Sequence, residues 1–324
     1  RKSISVDLHS TDAVWKPKKP FSSVVCVTVI YIPLMLFGLL GNILTILVVW
    51  LRPHMRSSTY LYLSSMAVSD LLILLLLPLD LYKLWRPRPW LLGDLTCKLT
   101  MFLSECCTFC TILHITFLSL ERYVAVCWPI TAKTTVTRRR TRALIGCLWL
   151  GAAISAAPVL VMVGVEECRC TDYAVSSGLL AAMMILSNLY FLVPVFILGL
   201  VYSLIGRTLW IRQRRSRKDQ THRHTIKMLG VIVLAFVLCW LPFHVGRTIF
   251  SLDTQLYFLY YLSQYFNLVS SVLYYLSAAV NPLLYNMMST RYRHAVHSLV
   301  HANCNTQPRR AHTTVTAQNS TTPV

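Results

Sequence analysis

A few ionisable side chains sit inside long apolar stretches of this sequence: Asp70, Asp80, Glu105, Arg122 and Arg247. A charge in such a setting is costly and marks a functional position by default. Glu121 directly precedes Arg122 and can pair with it. Glu105 and Arg247 fall at similar depth in the outer parts of their stretches, so a salt bridge between them is expected, each compensating the other and dividing a ligand cavity. Asp70 lies in mid-stretch, where a carboxylate needs a cation or a proton. This is the chemistry of ion pairing, ligand capture and switching. Catalysis finds no support: there is no Gly-rich phosphate loop, no Ser/His/Asp arrangement and no paired carboxylate in a catalytic setting, so the chain is not expected to be an enzyme. Cys107-Thr108-Phe109-Cys110 has redox or zinc spacing but no second pair, and thiols in an apolar helix read as packing.

The elements that must hold these groups are membrane spans. The chain has 324 residues, with 31 Lys and Arg against 12 Asp and Glu, a net charge of +19. Yet only 13% of residues are charged and 55% are apolar, with a mean hydropathy of +0.55. A soluble domain is about a quarter charged. High basicity at low charge density excludes a disordered basic tail and a nucleic-acid-binding domain. Seven apolar runs each exceed the ~20 residues that cross hydrocarbon: about Ser22–Leu51, Thr59–Leu84, Leu95–Cys127, Ala143–Val165, Ser177–Trp210, Thr225–Phe250 and Leu256–Met288. The expected architecture is an all-α seven-transmembrane helix bundle over residues 22–289, after an extracellular segment 1–21. No signal peptide is expected before the first run. Residues 290–301 place Tyr292, Ala295, Val296 and Leu299 on one face, which suits an amphipathic helix on the membrane surface. Residues 302–324 read as a disordered tail.

Lys and Arg assign the orientation. Arg52 and Arg56, then Lys133 to Arg142, then Arg207 to Lys227, then Arg291 and Arg293 follow spans one, three, five and seven. The opposite side carries Asp94, Glu166, Glu167, Asp172 and Asp253. The first side is therefore cytoplasmic, with the N-terminus outside and the C-terminus inside. The run Arg212 to Lys218 suits anionic lipid, at ~1 kcal/mol per basic residue. A transporter would be the reading of another class, but no internal repeat supports it.

Every span then carries a marker: Gly41-Asn42, Ala67-Val68-Ser69-Asp70, Glu121-Arg122-Tyr123, Trp149, Pro194, Cys239-Trp240-Leu241-Pro242 and Asn281-Pro282-Leu283-Leu284-Tyr285. In this order they make the chain resemble a rhodopsin-like (class A) G-protein-coupled receptor over residues 22–301. The resemblance implies a plasma-membrane receptor that activates heterotrimeric G proteins. It implies an activation switch of Glu121, Arg122, Tyr123, Tyr202, Phe236, Trp240, Pro242, Asn281, Pro282 and Tyr285, with no cofactor beyond an allosteric sodium ion held by Asn42, Asp70, Thr111 and Asn281. Thr111 and Ala278 depart from the family's more usual residues beside that site. A disulfide from Cys97 to the second extracellular loop is also implied. Cys168 matches it better than Cys170, although spacing alone does not choose between them.

Longer stretches narrow the resemblance to the ghrelin and motilin receptor branch: Arg88-Pro89-Trp90, Ser104-Glu105, Val163 to Glu166, Ser203 to Arg207, Cys239 to Arg247 and Tyr275 to Ala279. The branch implies a peptide hormone agonist, coupling to the Gq class with phospholipase C and calcium release, and a ligand site of Asp80, Met101, Ser104, Glu105, Phe243, Arg247 and Tyr274. Met101 stands where the ghrelin receptor has Gln, Tyr274 where it has Phe, and the loop leading to Cys168 is shorter. A different peptide, or signalling largely without ligand, is thus the alternative within the receptor class. Thr313, Thr314, Thr316, Ser320, Thr321 and Thr322 offer phosphorylation sites for arrestin.

Overall fold

The computed structural model describes residues 21–86, 90–164, 168–211, 217–252, 257–288 and 290–304. In chain order these form α1 (Phe21–Leu51), a 3-10 turn (Pro53–Met55), α2 (Ser58–Trp85), α3 (Asp94–Cys127), α4 (Pro129–Thr135), α5 (Arg138–Ala156), α6 (Val159–Met162), β1 (Val163–Gly164) and β2 (Arg169–Cys170). Then follow α7 (Asp172–Ser176), α8 (Leu179–Ile211), α9 (Arg217–Leu252), α10 (Tyr257–Met288) and α11 (Thr290–Cys304). Among the described residues six stretches are long and apolar enough to cross a membrane, with α5 and α6 forming one of them. The apolar segment Val233–Gly246 lies within the 36 residues of α9. The result is the expected seven-helix bundle with a surface helix.

Helices suit this sequence because hydrocarbon offers backbone groups no partner, so each N–H must bond within its own segment. The side chains sort inside out. Val29, Leu36 and Leu40 of α1 are exposed, whereas Asn42, Ser69, Asp70, Thr111 and Asn281 are buried. Among its neighbours α3 packs on α2, α5 and α8, while α1 packs on α2 and α10. Small residues let backbones close up. A Cβ at Gly38 would lie 2.7 Å from Leu74 Cδ1 and 3.0 Å from Ala279 Cβ, and one at Gly41 would lie 2.8 Å from Pro282 Cβ.

Three boundaries differ from the hydropathy reading. The fourth span does not run unbroken from Ala143 to Val165. Helix α5 ends at Ala156 and α6 starts at Val159, because Pro158 has no N–H to continue the ladder and its ring clashes with the turn before. The sixth helix starts at Arg217 rather than Thr225, since helical backbone can continue into water where hydropathy stops reporting it. The surface helix runs on to Cys304, so Ala302 belongs to it rather than to the tail; alanine favours this. Residues 305–324 and 1–20 lie outside the described residues. On α11, Tyr292 and Ala295 are buried, and the Tyr292 hydroxyl meets Thr45 Oγ1 at 2.9 Å. Burial pushes the Tyr292 phenol above its ordinary value, and the Thr45 bond opposes that rise.

The loop between α6 and α7 is built where Cys97 and Cys168 join, with Cα atoms 5.6 Å apart. The bridge takes Cys168 and not Cys170, and Cys168 sits in the left-handed region at φ 50°. Strands β1 and β2 pair antiparallel, Val163 opposite Cys170 and Gly164 opposite Arg169. Thr171 closes the turn: its N–H donates to the Met162 carbonyl at 2.8 Å, and its hydroxyl accepts from the Ala174 N–H at 3.3 Å. Hydropathy carried no signal for this hairpin or for α7.

Replacing Gly38 by Val places a branched side chain against Leu74 and Ala279. Overpacking of this kind costs ~1–3 kcal/mol, so G38V should lower the melting temperature in detergent and reduce surface expression; Gly151, whose Cβ position is open, should tolerate alanine with neither change.

Candidate functional site

The interior groups fall into four tiers along the bundle. In the middle tier, Asn281 Nδ2 donates to Asp70 Oδ2 at 2.9 Å, joining α10 to α2. Asn42 Nδ2 donates to the carbonyls of Gly38 at 2.9 Å and Ala278 at 3.0 Å, joining α1 to α10. Its Oδ1 is buried with no hydrogen-bond partner among the described residues. Thr111 does not turn to Asp70; its hydroxyl meets Ser69 Oγ at 2.9 Å. The Asp70 carboxylate, the unpartnered Asn42 Oδ1 and the Thr111 hydroxyl are all oxygen donors, a set whose chemistry fits a hard cation.

Between it and the end of the bundle that carries the Cys97–Cys168 bridge lies an aromatic tier. Trp240 is 1% exposed and meets Phe236 at 6.0 Å, Phe243 at 6.0 Å and Tyr274 at 5.1 Å between ring centroids. Phe236 continues to Phe191 at 6.0 Å. The Trp240 and Tyr274 rings are nearly perpendicular, an edge-to-face pairing that their quadrupoles favour. The Trp240 indole N–H is buried without a hydrogen-bond partner among the described residues. Pro242 lies inside α9 and Pro282 inside α10, so each helix has a carbonyl without its usual partner and a point where it bends.

The outer tier lies toward the end of the bundle that carries the Cys97–Cys168 bridge. The Tyr274 hydroxyl and Ser104 Oγ are 3.1 Å apart, tying α10 to α3. The Tyr275 hydroxyl donates to Asp80, and the Tyr275 ring packs on Tyr31 at 5.2 Å. Lys83 Nζ lies 3.9 Å from Met101 Sδ and 5.4 Å from the Trp90 ring centroid. Tyr275, Tyr31 and Lys83 were not singled out from the sequence. A tyrosine one residue after Tyr274 carries no charge to draw notice, and Lys83 reads as a snorkelling helix-end residue. Glu105 lies on α3 one residue after Ser104, partly buried, and Phe243 lies three residues after Trp240. The side chain of Arg247 is outside the described residues, and so is the bridge expected between it and Glu105.

At the far end, Arg122 Nη2 pairs with Glu121 Oε1 at 3.0 Å, with both side chains largely buried. The Tyr202 hydroxyl lies 3.4 Å from Ser119 Oγ, one turn from Arg122. Tyr123 is partly buried at the end of α3, packed where α8 passes. The Tyr285 side chain is outside the described residues. Among the described residues no cluster of His, Cys, Asp or Glu could hold a transition metal.

Comparison with known proteins agrees with this arrangement. Residues 41–285 match the profile described as 7 transmembrane receptor (rhodopsin family). The chain is 52% identical over 293 residues to growth hormone secretagogue receptor type 1 of Sus scrofa, covering 85% of this chain and 80% of that one. It is 40% identical over 338 residues to the motilin receptor of Homo sapiens, covering 87% and 82%. It is 33% identical to neurotensin receptor type 1 of Homo sapiens, covering 84% and 75%.

The partly buried ion pair makes a prediction. Glu121→Gln removes the charge that holds Arg122, an interaction worth ~1 kcal/mol in this half-screened position. Ligand-free signalling in transfected cells should rise ~2–5-fold at equal surface expression.

Proposed function

Because the chain belongs to the rhodopsin family of seven-transmembrane receptors, we propose that it is a plasma-membrane receptor for a ghrelin- or motilin-like peptide hormone. The observation that carries this reading is the 52% identity to a growth hormone secretagogue receptor along 85% of the chain. The N-terminus lies outside the cell and the C-terminus inside, as the Lys and Arg asymmetry argues. The transduced signal passes to a heterotrimeric G protein of the Gq class, and the phosphorylated tail recruits arrestin.

In this reading the peptide enters among Asp80, Met101, Ser104, Glu105, Phe243, Arg247 and Tyr274. Asp80 and Glu105 receive its cationic groups. Contact with Tyr274 or Phe243 shifts the rings against Trp240, and α9 pivots at Pro242. Movement at the inner end of α9 then separates Arg122 from Glu121 and opens a seat for a G-protein helix. Asp70, Asn42, Thr111 and Asn281 would hold a sodium ion in the resting state, and its charge would neutralise the Asp70 carboxylate.

Three measurements bear on this. Calcium release in transfected cells should respond to acylated ghrelin, unacylated ghrelin or motilin; silence to all three with confirmed surface expression overturns the ligand assignment. Tyr274→Phe deletes the hydroxyl that meets Ser104, a hydrogen bond worth ~1 kcal/mol. It should raise ligand-independent signalling ~2–5-fold, and an unchanged or lower baseline would show that this bond does not favour the resting arrangement. Replacing choline by sodium should raise the melting temperature of the purified receptor by ~2–4 °C, and Asp70→Asn should abolish the difference.

A further inference from the structure

We propose that the surface helix α11 carries a zinc site, one Zn²⁺ held on its outward face by His294, His297 and His301 with water as the fourth ligand. Three of the chain's ten histidines lie on this one helix. None of them belongs to the ligand cavity or to the switch.

The spacing brings them together. At 3.6 residues per turn, positions 294, 297 and 301 fall within about 60° of the helix circumference and about 10 Å of its length. Residues at i+3 and i+4 are the ones whose side chains meet on a helix, and two histidines at i, i+4 are a pair that zinc uses there. The fold chooses their side. Tyr292 and Ala295 are buried, and Val296 and Leu299 pack with them against the bundle. By register the histidine face lies opposite that apolar face, and His294 and His297 are exposed. Those two imidazoles make no cluster of three among the described residues. His301 is the third by register, on a backbone that stays helical to Cys304; its side chain is outside the described residues.

The donor set selects the metal. Imidazole nitrogen suits Zn²⁺, and three histidines with one position left to water form a tetrahedral zinc site. Helix α11 has no Asp or Glu, so Ca²⁺ and Mg²⁺, which take oxygen ligands, find no carboxylate there. Arg293, exposed beside His294, opposes the dication and limits its affinity. Solvation alone asks only for polar residues on this face; it does not ask for one ligand-bearing side chain at three positions in ligand spacing. Tyr292 already fastens the start of α11 to α1 through Thr45. A metal spanning positions 294 to 301 would fix the turns that follow, since the energy of binding becomes energy of ordering. None of this depends on the peptide or the orientation proposed above, so failure of either leaves the zinc site standing.

The test uses the purified full chain in detergent, without a polyhistidine tag, with Zn²⁺ as the probe and Ca²⁺ as the control. Competition against a chromogenic chelator should show Zn²⁺ retained, and hydrogen exchange of the α11 amides should slow about threefold or more when it binds. His297→Gln removes the ligand between the other two and should cut affinity roughly tenfold or more. The triple variant His294→Gln, His297→Gln and His301→Gln should lose one Zn²⁺ per chain and the exchange effect, while the melting temperature of the zinc-free chain stays unchanged. His222→Gln with His224→Gln, on α9, should leave the α11 effect intact. Zinc-edge X-ray absorption of the metal that the triple variant loses should show nitrogen and oxygen neighbours and no sulfur. Equal retention by the triple variant overturns the site, as do sulfur ligands, an equal loss with the α9 pair, or displacement of Zn²⁺ by equimolar Ca²⁺.

Discussion

Inside hydrocarbon no water solvates a buried polar atom, so each must be satisfied by another part of the chain or carry the cost of being left alone. The middle of this bundle is arranged by that constraint. Asp70 meets Asn281, and Asn42 reaches the carbonyls of Gly38 and Ala278. These bonds join α2 to α10 and α1 to α10. Gly38 and Gly41 allow the approach that the Asn42 bond to Ala278 requires, since a Cβ at either would collide with its neighbours. The Asn42 oxygen that stays unpartnered among the described residues lies in this same polar tier, where the donor set suits a cation.

The aromatic tier has a different physics. Phe191, Phe236, Trp240, Phe243 and Tyr274 contact one another at ring distances of about 5–6 Å, and such packed cores rearrange between discrete states more readily than they deform. Tyr274 belongs both to this cluster and, through its hydroxyl, to Ser104 in the outer tier. Trp240 lies two residues before Pro242, where α9 lacks one backbone bond. A residue tied at its polar end and packed at its ring end is placed to convert an outer contact into a change of packing. The Arg122–Glu121 pair at the other end of α3, both side chains largely buried, is held by a Coulomb attraction across 3.0 Å.

The cytoplasmic edge in the proposed orientation combines the same forces in a third way. Ser58 and Thr141 satisfy each other where α2 and α5 begin, and Arg56 and Arg142, which flank them, line one crevice.

The sequence alone determined the class of the molecule. Runs of about 20 apolar residues, Lys and Arg bias, and markers such as Glu121-Arg122-Tyr123 and Asn281-Pro282 are local properties, set by the partition free energy and chemistry of neighbouring residues. They made the seven spans legible, while the family resemblance favoured Cys168 as the bridge partner and left the choice over Cys170 to the structure. Tertiary structure alone decided which distant groups meet. The Asp80–Tyr275 bond spans 195 positions and the Asn42–Ala278 bond 236, and each depends on helix tilt and rotation that no local pattern encodes. The same holds for Ser104 with Tyr274, for Thr111 turning to Ser69 rather than Asp70, and for Arg56 and Arg142 sharing a crevice. The break at Pro158 lay between: the proline was visible, but whether it would bend the span or end it was settled by the hairpin and disulfide that draw the chain back over α3.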